Sequence, residues 1–314
     1  MEYHDLGKTG IRVSRLCFGS LTVAPMQKNL SLKKSREIMA AALDAGVNFF
    51  DTADLYNNYA HLRQVLEMKP DAVICTKSYD YSAEGVAKSL NKALKQLGRD
   101  YIDIYMLHEQ ENRLTFKGHW EAIEYLMKMK KKGVIRAFGI STHRVEGVTD
   151  SCDFPEIEVV FPIVNRTGIG IEDGGREEME DALSKAKKAG KGIMGMKPLG
   201  GGNLLSQVDA CFDYVLGLPQ LDSIALGMQS VEEVCYNTAR FEGRPIDAAL
   251  AQKVAQLPRR LHISDWCEGC GRCVARCGQH ALSLVDGKAQ VDYSRCLTCC
   301  YCATVCPMFC IKVI

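Results

Sequence analysis

Cys267-x2-Cys270-x2-Cys273-x3-Cys277 and Cys296-x2-Cys299-x2-Cys302-x3-Cys306 are two cysteine runs of identical spacing near the end of the chain. A cubic 4Fe-4S cluster needs four thiolates at its corners, and two-residue spacers allow one loop to supply three of them. The fourth thiolate then has to come from another part of the chain. Because the spacing occurs twice, the sequence predicts a small domain that holds two 4Fe-4S clusters.

This segment resembles the bacterial two-cluster ferredoxins over its full length. In that family the last cysteine of each run binds the cluster of the other run. Gly278 stands where the family has proline, and Cys300 stands where it has glycine, but neither change removes a ligand. Cys300 and Cys310 are therefore expected to be non-ligands. The resemblance implies two ligand sets, which are Cys267, Cys270, Cys273 and Cys306 for one cluster, and Cys296, Cys299, Cys302 and Cys277 for the other.

Zinc sites and a disulfide framework are the alternative interpretations of the cysteines. Zinc takes four ligands, usually as two separated pairs, which this spacing does not provide. A disulfide framework needs an exported chain, yet Met1 is followed by Glu2-Tyr3-His4-Asp5 with no apolar signal segment. Of the 15 cysteines, ten lie from Cys267 onward. We therefore expect a reducing cytoplasmic location and, because exposed clusters are oxygen-sensitive, an anaerobic organism.

Length and composition indicate what the part of the chain before the cysteine runs forms. Residues 1–258 of the 314 are close to the roughly 250 residues of a (β/α)8 barrel, and residues 259–314 form the predicted cluster domain. A hydrophobic content of 47% supplies a core. The formal net charge of +1 gives no basic surface for nucleic acid, and no apolar stretch approaches the roughly 20 residues that cross a membrane.

The first 258 residues repeat a short apolar run followed by a longer amphipathic segment, the pattern of βαβ units. Eight such units close most simply as an α/β fold of the (β/α)8 TIM-barrel type, preceded by a hairpin at Glu2–Val13 that plugs the bottom. A doubly wound open sheet is the competing architecture, but no G-x-G-x-x-G follows the first strand. The predicted strands are 16–19, 48–52, 72–76, 101–107, 136–140, 159–164, 192–196 and 223–226.

Polar side chains stand where three successive strands end, the edge at which barrel enzymes carry their active sites. These residues are Asp51, Lys77 and His108, with Tyr56 five residues beyond Asp51. Hydride delivery to a carbonyl carbon leaves charge on its oxygen, so a proton donor such as Tyr56 has to stand beside it. An adjacent Lys77 is expected to lower the pKa of that tyrosine, Asp51 to balance the lysine, and His108 to orient the carbonyl.

Over roughly residues 1–240 the chain resembles the aldo-keto reductases. The matching stretches are Asp5–Gly10, Phe50–Tyr56, Thr76-Lys77, Tyr101–Asp103 and Gly139–Ser141. The resemblance implies that Asp51, Tyr56, Lys77 and His108 are the catalytic tetrad, and that the substrate is a small carbonyl compound. Taken singly, each has a structural alternative, as a helix cap, a loop aromatic, a surface lysine or a core histidine.

Phosphate sites in barrels come from the loops after the last two strands. Backbone N–H groups of a triple glycine, with Lys197 adding charge, are expected to hold a pyrophosphate, although a flexible surface loop is the alternative. The resemblance implies nicotinamide contacts from Ser141 and Asn165. The predicted cofactor residues are Ser141, Asn165, Lys197, Leu199, Gly200, Gly201, Gly202, Gly227, Met228, Ser230, Glu233 and Asn237.

Three positions depart from the family pattern. Phe161 replaces the usual glutamine on the nicotinamide amide, Met196 the stacking tyrosine, and Glu233 the arginine for the adenosine 2′-phosphate. An acid repels a phosphate, so NAD(H) is expected rather than NADP(H), although Ser230-x-x-Glu233 also has the pattern of a helix capping box. Nicotinamide binding itself is therefore left open.

Three functions follow from the two halves together. In the first, the barrel is a nicotinamide-dependent carbonyl reductase and the clusters are structural or regulatory. In the second, the clusters carry electrons from a partner such as ferredoxin or flavodoxin to a ligand in the barrel. In the third, the chain is a non-catalytic electron-transfer or redox-sensing adaptor, which the intact tetrad disfavours. The sequence does not separate the first two.

Overall fold

The computed structural model describes residues 1–314 and contains a closed parallel barrel of eight strands. The barrel order is β10-β3-β4-β5-β6-β7-β8-β9, so every neighbour in sequence is also a neighbour in space. A hairpin of β1 (Tyr3–Asp5) and β2 (Arg12–Ser14) precedes it. The barrel strands are β3 (Leu16–Gly19), β4 (Phe49–Asp51), β5 (Val73–Ser78), β6 (Ile102–Leu107), β7 (Ile135–Thr142), β8 (Val159–Pro162), β9 (Gly192–Met196) and β10 (Ser223–Gly227).

Helices connect the strands on the outside of the barrel. One of these helices, Ala83–Leu97, shows why its bounds lie where they do. Ser82 accepts the Gly85 N–H at its start, and Gly98 takes a left-handed conformation at its end. The helices are α1 (Leu32–Asp44), α2 (Tyr59–Met68), α3 (Ala83–Leu97), α4 (Arg113–Gly118), α5 (Trp120–Lys131), α6 (Val145–Ser151), α7 (Arg176–Lys188), α8 (Val208–Leu216), α9 (Val231–Phe241) and α10 (Ala248–Ala255). The expected TIM barrel is confirmed.

The barrel interior is filled by side chains that alternate along each strand. Phe49, Cys75, Ile104 and Met106 are among those that point inward, as the two-residue period of a strand requires. Leu6, Ile11 and Val13 from the first hairpin belong to the same buried cluster, so the hairpin closes one end of the barrel. The opposite end, where the strands finish, is the end that carries the candidate site.

The C-terminal part is a small α+β unit built on two antiparallel strand pairs. Its elements are β11 (Leu261–Ile263), α11 (Arg272–Arg276), β12 (Leu282–Val285), β13 (Lys288–Val291) and β14 (Ile311–Val313). β11 pairs with β14, and β12 pairs with β13 across a turn in which Asp286 and Gly287 both have positive φ, the conformation that a two-residue hairpin requires. The predicted order of strand, cluster loop, hairpin, cluster loop and strand is observed.

The two parts meet at the open end of the barrel. β14 packs on a short 3-10 turn, Gly200–Gly202, in the loop after β9, and Phe309 lies within the hydrophobic cluster of the barrel. The predicted domain boundary at residues 258 and 259 falls between α10 and β11 and stays a prediction. None of the helices combines the length and the apolar character that a membrane crossing requires.

Candidate active site and cysteine cavities

The four predicted catalytic residues lie together at the open end of the barrel. Asp51 is the last residue of β4, Lys77 lies near the end of β5, and His108 directly follows β6. Tyr56 ends a 3-10 turn that begins three residues after Asp51. Because β4, β5 and β6 are adjacent parallel strands, their ends bring these side chains to one place.

Lys77 is the best-defined member of the group. Its Nζ donates to Asp51 Oδ1 at 2.6 Å and to the Thr52 carbonyl at 2.8 Å, and its side chain is 2% exposed. Burial is the largest single influence and opposes the charge of Lys77, but the adjacent Asp51 carboxylate together with Tyr56 and Cys75 outweighs it and raises the pKa of Lys77 above its ordinary value. Lys77 therefore stays an ammonium, with Asp51 as its counter-ion.

Tyr56 faces this ammonium, with Lys77 Nζ 5.2 Å from the centroid of its ring. Burial raises the pKa of Tyr56 to about 12, and Lys77 opposes that increase without reversing it. Lys77 therefore lowers the pKa of Tyr56 as expected, but burial has the larger effect and the net shift is upward. In the structure, Tyr56 is a neutral phenol, the form that can donate a proton.

His108 completes the group. Its ring stacks on Tyr79 at 4.4 Å between centroids and lies 6.1 Å from the Tyr56 ring. Burial, followed by the charge of Lys77, lowers the pKa of His108 well below its usual value, so the imidazole is neutral. Its Nδ1 is buried without a hydrogen-bond partner. Tyr79 in turn donates to Glu109 at 2.5 Å.

The triple-glycine loop does not offer the phosphate cradle that the sequence predicts. Four of its N–H groups already bond within the loop: Gly200 to Lys197, Gly202 and Leu204 to Leu199, and Asn203 to Gly200. A helix N-terminus binds phosphate only through N–H groups that lack a partner. The backbone donors for a pyrophosphate are therefore largely consumed.

β14 covers the same loop from above. A Cβ on Gly202 would lie 2.2 Å from the Val313 carbonyl oxygen, and one on Gly201 would lie 2.7 Å from Cδ of Lys312. Asn203 Nδ2 donates to the Ile311 carbonyl at 2.9 Å. With its last strand in this position, the chain itself occupies the space in which the pyrophosphate is expected.

The two residues expected at the nicotinamide are engaged locally. The Oγ of Ser141 accepts the Glu109 N–H at 2.9 Å. Asn165 Oδ1 accepts the Ile169 N–H, and its Nδ2 donates to the Ile169 carbonyl at 2.9 Å, so its amide shapes its own loop. Phe161 lines the barrel interior, with Lys77 Nζ 5.2 Å from its ring centroid.

The predicted contacts after β10 are divided between a helix cap and an ion pair. Ser230 accepts the Glu233 N–H at the start of α9, as a capping box requires, but Glu233 Oε2 accepts from the Gln229 N–H rather than from Ser230. Glu233 Oε1 pairs with Arg259. The charge of Glu233 is therefore largely balanced, and the argument against a 2′-phosphate is weakened. Of the other predicted residues here, Met228 and Asn237 are buried, and Gly227 is the partly buried last residue of β10.

These observations test whether a nicotinamide dinucleotide fits. The four predicted catalytic residues lie together, but the loop expected at the pyrophosphate keeps few free backbone N–H groups and is covered by β14. The dinucleotide that the family resemblance implies does not fit this arrangement of the chain.

Three residues that the sequence did not single out, His143, Phe309 and Lys312, meet the predicted Lys197 beneath β14. Lys197 Nζ lies 2.5 Å from His143 Nε2 and 5.1 Å from the Phe309 ring centroid, and Lys312 Nζ lies 3.0 Å from the same centroid. Burial, followed by Lys197, lowers the pKa of His143 to about 3, and burial lowers that of Lys197 to about 8. The only sequence signal was His143 two residues after Ser141, because nothing in Ile311-Lys312-Val313 identifies its docking site.

The eight predicted cluster ligands line two separate cavities of the C-terminal part. The Ala289 N–H donates to Cys267 Sγ at 3.4 Å, and the Ala281 N–H donates to Cys277 Sγ at 3.3 Å, the kind of contact that stabilises a thiolate. Cys310 lines the first cavity and Cys300 the second. The cavities are bordered by Cys267, Cys270, Cys273 and Cys306, and by Cys277, Cys296, Cys299 and Cys302.

This division is the one that the ferredoxin resemblance implies, and iron binding by these residues stays a prediction. A cubic cluster fits the donor set because all eight ligands are thiols placed around a cavity. No three His, Cys, Asp or Glu side chains converge on a position for one metal ion.

Comparison with known proteins agrees with both halves of the chain. A family model described as "Aldo/keto reductase family" matches residues 15–248, and one described as "4Fe-4S dicluster domain" matches residues 261–307. L-galactose dehydrogenase of Arabidopsis thaliana is 26% identical over 282 residues, which are 76% of this chain and 88% of the relative. A solved aldo-keto reductase structure from Pseudomonas aeruginosa is 25% identical, with a TM-score of 0.67 over 77% of this chain and 95% of its own. The holo form of an aldo-keto reductase from Bacillus halodurans, 23% identical, shares the fold with a TM-score of 0.66 over 82% of this chain and 96% of its own.

Proposed function

The chain belongs to the aldo/keto reductase family, and from that membership we propose an oxidoreductase that interconverts a carbonyl and an alcohol at the open end of its barrel, with electrons exchanged through its own two clusters. The 4Fe-4S dicluster domain is part of the same chain, so the immediate electron donor to the barrel needs no separate docking step. This is the ferredoxin-coupled function among the three considered above.

One observation carries the proposal: the last strand of the cluster domain stands where the pyrophosphate of a nicotinamide is expected. Gly202 touches Val313, and Asn203 is hydrogen-bonded to Ile311. The contact that excludes the usual two-electron donor also brings a one-electron donor to the substrate end of the barrel. The position of β14 therefore accounts both for the exclusion of the nicotinamide and for the supply of electrons.

Tyr56, Lys77 and His108 have separate parts in the proposed chemistry. Reduction of a carbonyl to an alcohol takes two electrons and two protons. Tyr56 donates the proton that goes to oxygen, and Lys77 then stabilises the phenolate. The neutral His108 donates a hydrogen bond that positions the same oxygen. The second proton reaches the carbon from solvent water, and the two electrons would come from the 4Fe-4S clusters that the two predicted cysteine sets would hold.

A short path connects the first cysteine cavity to the barrel. Phe309 follows Cys306 by three residues and is 4% exposed within the barrel cluster. Its ring lies edge-on to His143, with 6.4 Å between centroids. From there the contacts continue through Glu109 and Tyr79 to His108. The cavity that is to hold a cluster is therefore separated from the tetrad by few side chains.

The experiment is a reduction of the anaerobic, cluster-loaded protein. We expect reduced ferredoxin, but not NADH or NADPH, to bleach the visible absorption of the clusters, and a carbonyl substrate to restore it. The Tyr56→Phe variant should be bleached equally and reoxidised more slowly. Bleaching by NADH, or no reoxidation by any compound in a broad panel of aldehydes and ketones, would contradict the proposal.

A nicotinamide-dependent reductase is the second candidate, because the buried Lys77–Asp51 pair keeps the geometry with which the family assists hydride delivery. In that case β14 has to leave the glycine loop before the nucleotide binds. The preference for NAD(H) would then depend on Glu233, which Arg259 partly neutralises. Dissociation constants of NADH and NADPH for the parent and for Glu233→Arg test it. Tighter NADPH binding by the parent would reject that preference.

The proposed partners follow from the electron source. The chain takes electrons from a ferredoxin or flavodoxin and passes them to a small carbonyl substrate, with no part for nucleic acid or membrane. The adaptor function is disfavoured by the tetrad, since a lysine that is 2% exposed is costly to keep without a use. A cytoplasmic location in an anaerobe stays a prediction.

A further inference from the structure

Lys312 is a buried lysine that the proposed chemistry does not use, and burial lowers its pKa well below the ordinary value. It is 6% exposed and belongs to β14, yet it points from the cluster domain toward the open end of the barrel. Its Nζ donates to the Phe309 carbonyl and lies over the Phe309 ring. An ammonium has three donors, and one carbonyl satisfies only one of them. Removing such a charge from water costs several kcal/mol unless an anion compensates it.

Lys197 provides a second buried amino group beside that of Lys312. Because Lys197 Nζ and Lys312 Nζ lie 5.1 and 3.0 Å from the same ring centroid, they are no further apart than the sum of these distances. Lys197 has a left-handed backbone, with φ of 59°, a conformation that non-glycine residues rarely adopt. The strained backbone holds the side chain in this position.

No carboxylate of the protein is paired with either lysine. His143 is uncharged, accepts a hydrogen bond from Lys197 at Nε2, and turns Nδ1 toward Glu172 at 3.5 Å. Glu109 lies 3.9 Å from His143 Nε2. Glu109 and Glu172 are both 43% exposed, and neither forms an ion pair with Lys197 or Lys312. Burial outweighs the thiols of Cys310 and Cys306, which raise the pKa of Lys312. The amino groups of Lys197 and Lys312 thus lie beside one aromatic ring, and neither is paired with a carboxylate of the protein.

We propose that Lys312 and Lys197 bind a carboxylate of the substrate, so that the enzyme acts on oxo acids rather than on neutral aldehydes or ketones. A monoanion is favoured over a phosphate dianion because Glu109 and Glu172 stand at the edge of the site and repel the second charge more. This inference rests on the proposed function and adds the substrate class. It also means that the cluster domain supplies part of the substrate site.

The position of the lysines fits a substrate whose carbonyl reaches the tetrad. Lys197 is close enough to His108 to contribute to its lowered pKa. Contacts run from His108 through Tyr79, Glu109 and His143 to Lys197. A carboxylate held at the lysines can therefore direct a carbonyl a few bonds away toward Tyr56.

The test is calorimetric binding of pyruvate, acetoacetate and levulinate, each against its methyl ester, to the anaerobic cluster-loaded protein. We expect at least one acid to bind more tightly than its ester. Lys312→Met should weaken that binding by about 10- to 100-fold, the value of one charge-assisted hydrogen bond, and leave the ester unchanged. Lys312→Arg should retain part of the affinity.

Lys288→Met is the matched control, because it removes the same charge from an exposed position of the same domain. It should bind the acid as the parent does. Acids that bind no better than their esters, or full affinity in a folded Lys312→Met protein, would overturn the proposal. A loss of NADH or NADPH binding without a loss of acid binding would assign the lysines to nucleotide phosphate instead. Binding is measured without turnover, so the test of carboxylate binding can still be interpreted if the proposed redox function fails.

Discussion

The side-chain amide of Asn203 donates a hydrogen bond of 2.9 Å to the main-chain carbonyl of Ile311, and so joins the loop after β9 to the last strand of the chain. The two residues are 108 positions apart in sequence. In the aldo/keto reductase barrel this loop is where a nucleotide phosphate is expected. Here it serves as the docking site for the 4Fe-4S dicluster domain.

Gly202→Ala should detach β14 from this loop. Its Cβ would stand 2.2 Å from the Val313 carbonyl, so the strand has to move. If β14 is what excludes a dinucleotide, fluorescence titration should show NADH binding in the variant and not in the parent. Gly243→Ala is the control, since Gly243 also has positive φ but nothing within 4 Å of its Cβ position. Unchanged nucleotide binding in Gly202→Ala would mean that β14 is not the obstacle.

Tyr56→Phe should lower turnover by about 10²- to 10⁴-fold, the usual contribution of a general acid, while substrate binding persists. Tyr105→Phe removes a buried hydroxyl that donates to Ser78 Oγ at 2.9 Å, away from the proposed reaction. It should keep nearly full turnover. The rate of cluster reoxidation by substrate measures both variants. Parental rates in Tyr56→Phe would move the proton donor elsewhere.

The pH dependence should follow the phenol of Tyr56, whose pKa burial raises to about 12. Carbonyl reduction needs the protonated form, so Tyr56 should cause no fall in rate near pH 10, where an ordinary tyrosine ionises. Alcohol oxidation needs the phenolate, so its rate should rise about tenfold per pH unit through the neutral range. Rate profiles in both directions check this, and a reduction rate that halves by about pH 10 would contradict it.

Lys77→Met should destabilise the barrel by about 3–5 kcal/mol, because it leaves the Asp51 carboxylate buried without its counter-ion. Asp51→Asn combined with Lys77→Met removes both charges and should recover much of that loss. Urea-unfolding midpoints of the parent, the single variants and the double variant measure the coupling. Strictly additive losses would show that the two charges do not depend on each other.

The anaerobic protein should contain about eight iron and eight sulfide per chain. Cys306→Ser should lose about half of the iron, because Cys306 borders the first cavity with three other predicted ligands. Cys310→Ser is a demanding control: Cys310 Sγ lies only 3.3 Å from Cys306 Sγ, yet it is expected to be a non-ligand. Loss of iron in Cys310→Ser, or stoichiometric zinc in the parent, would contradict the assignment.

Local features were predictable because local sequence determines them. Strands 16–19 and 192–196 have the predicted bounds, and the Asp286-Gly287 turn follows from residues that tolerate positive φ. The grouping of Asp51, Lys77 and His108 followed from the rule that parallel strands end at one edge. These inferences needed no knowledge of distant contacts.

Features that depend on docking were not predictable. The glycine loop was interpreted as a phosphate site because its sequence permits one, and nothing in it indicates that Val313 fills the space. Glu233 was taken as a free charge because Arg259, its partner, lies 26 positions away and outside any helical spacing. The pKa of Tyr56 depends on how deeply the side chain is buried, which outweighs the neighbouring Lys77 that the sequence did show.

The position of β14 after both cysteine runs has a consequence for biosynthesis. Synthesis runs from the N-terminus, and domains generally fold as they emerge, so β10 can close the barrel against β3 before the cysteine runs exist. β14 is translated after both runs, and it pairs with β11 across the segment that holds all eight predicted cluster cysteines. We therefore expect the active-site end of the newly folded barrel to stay uncovered until iron is delivered, so that assembly of the clusters precedes the docking of β14.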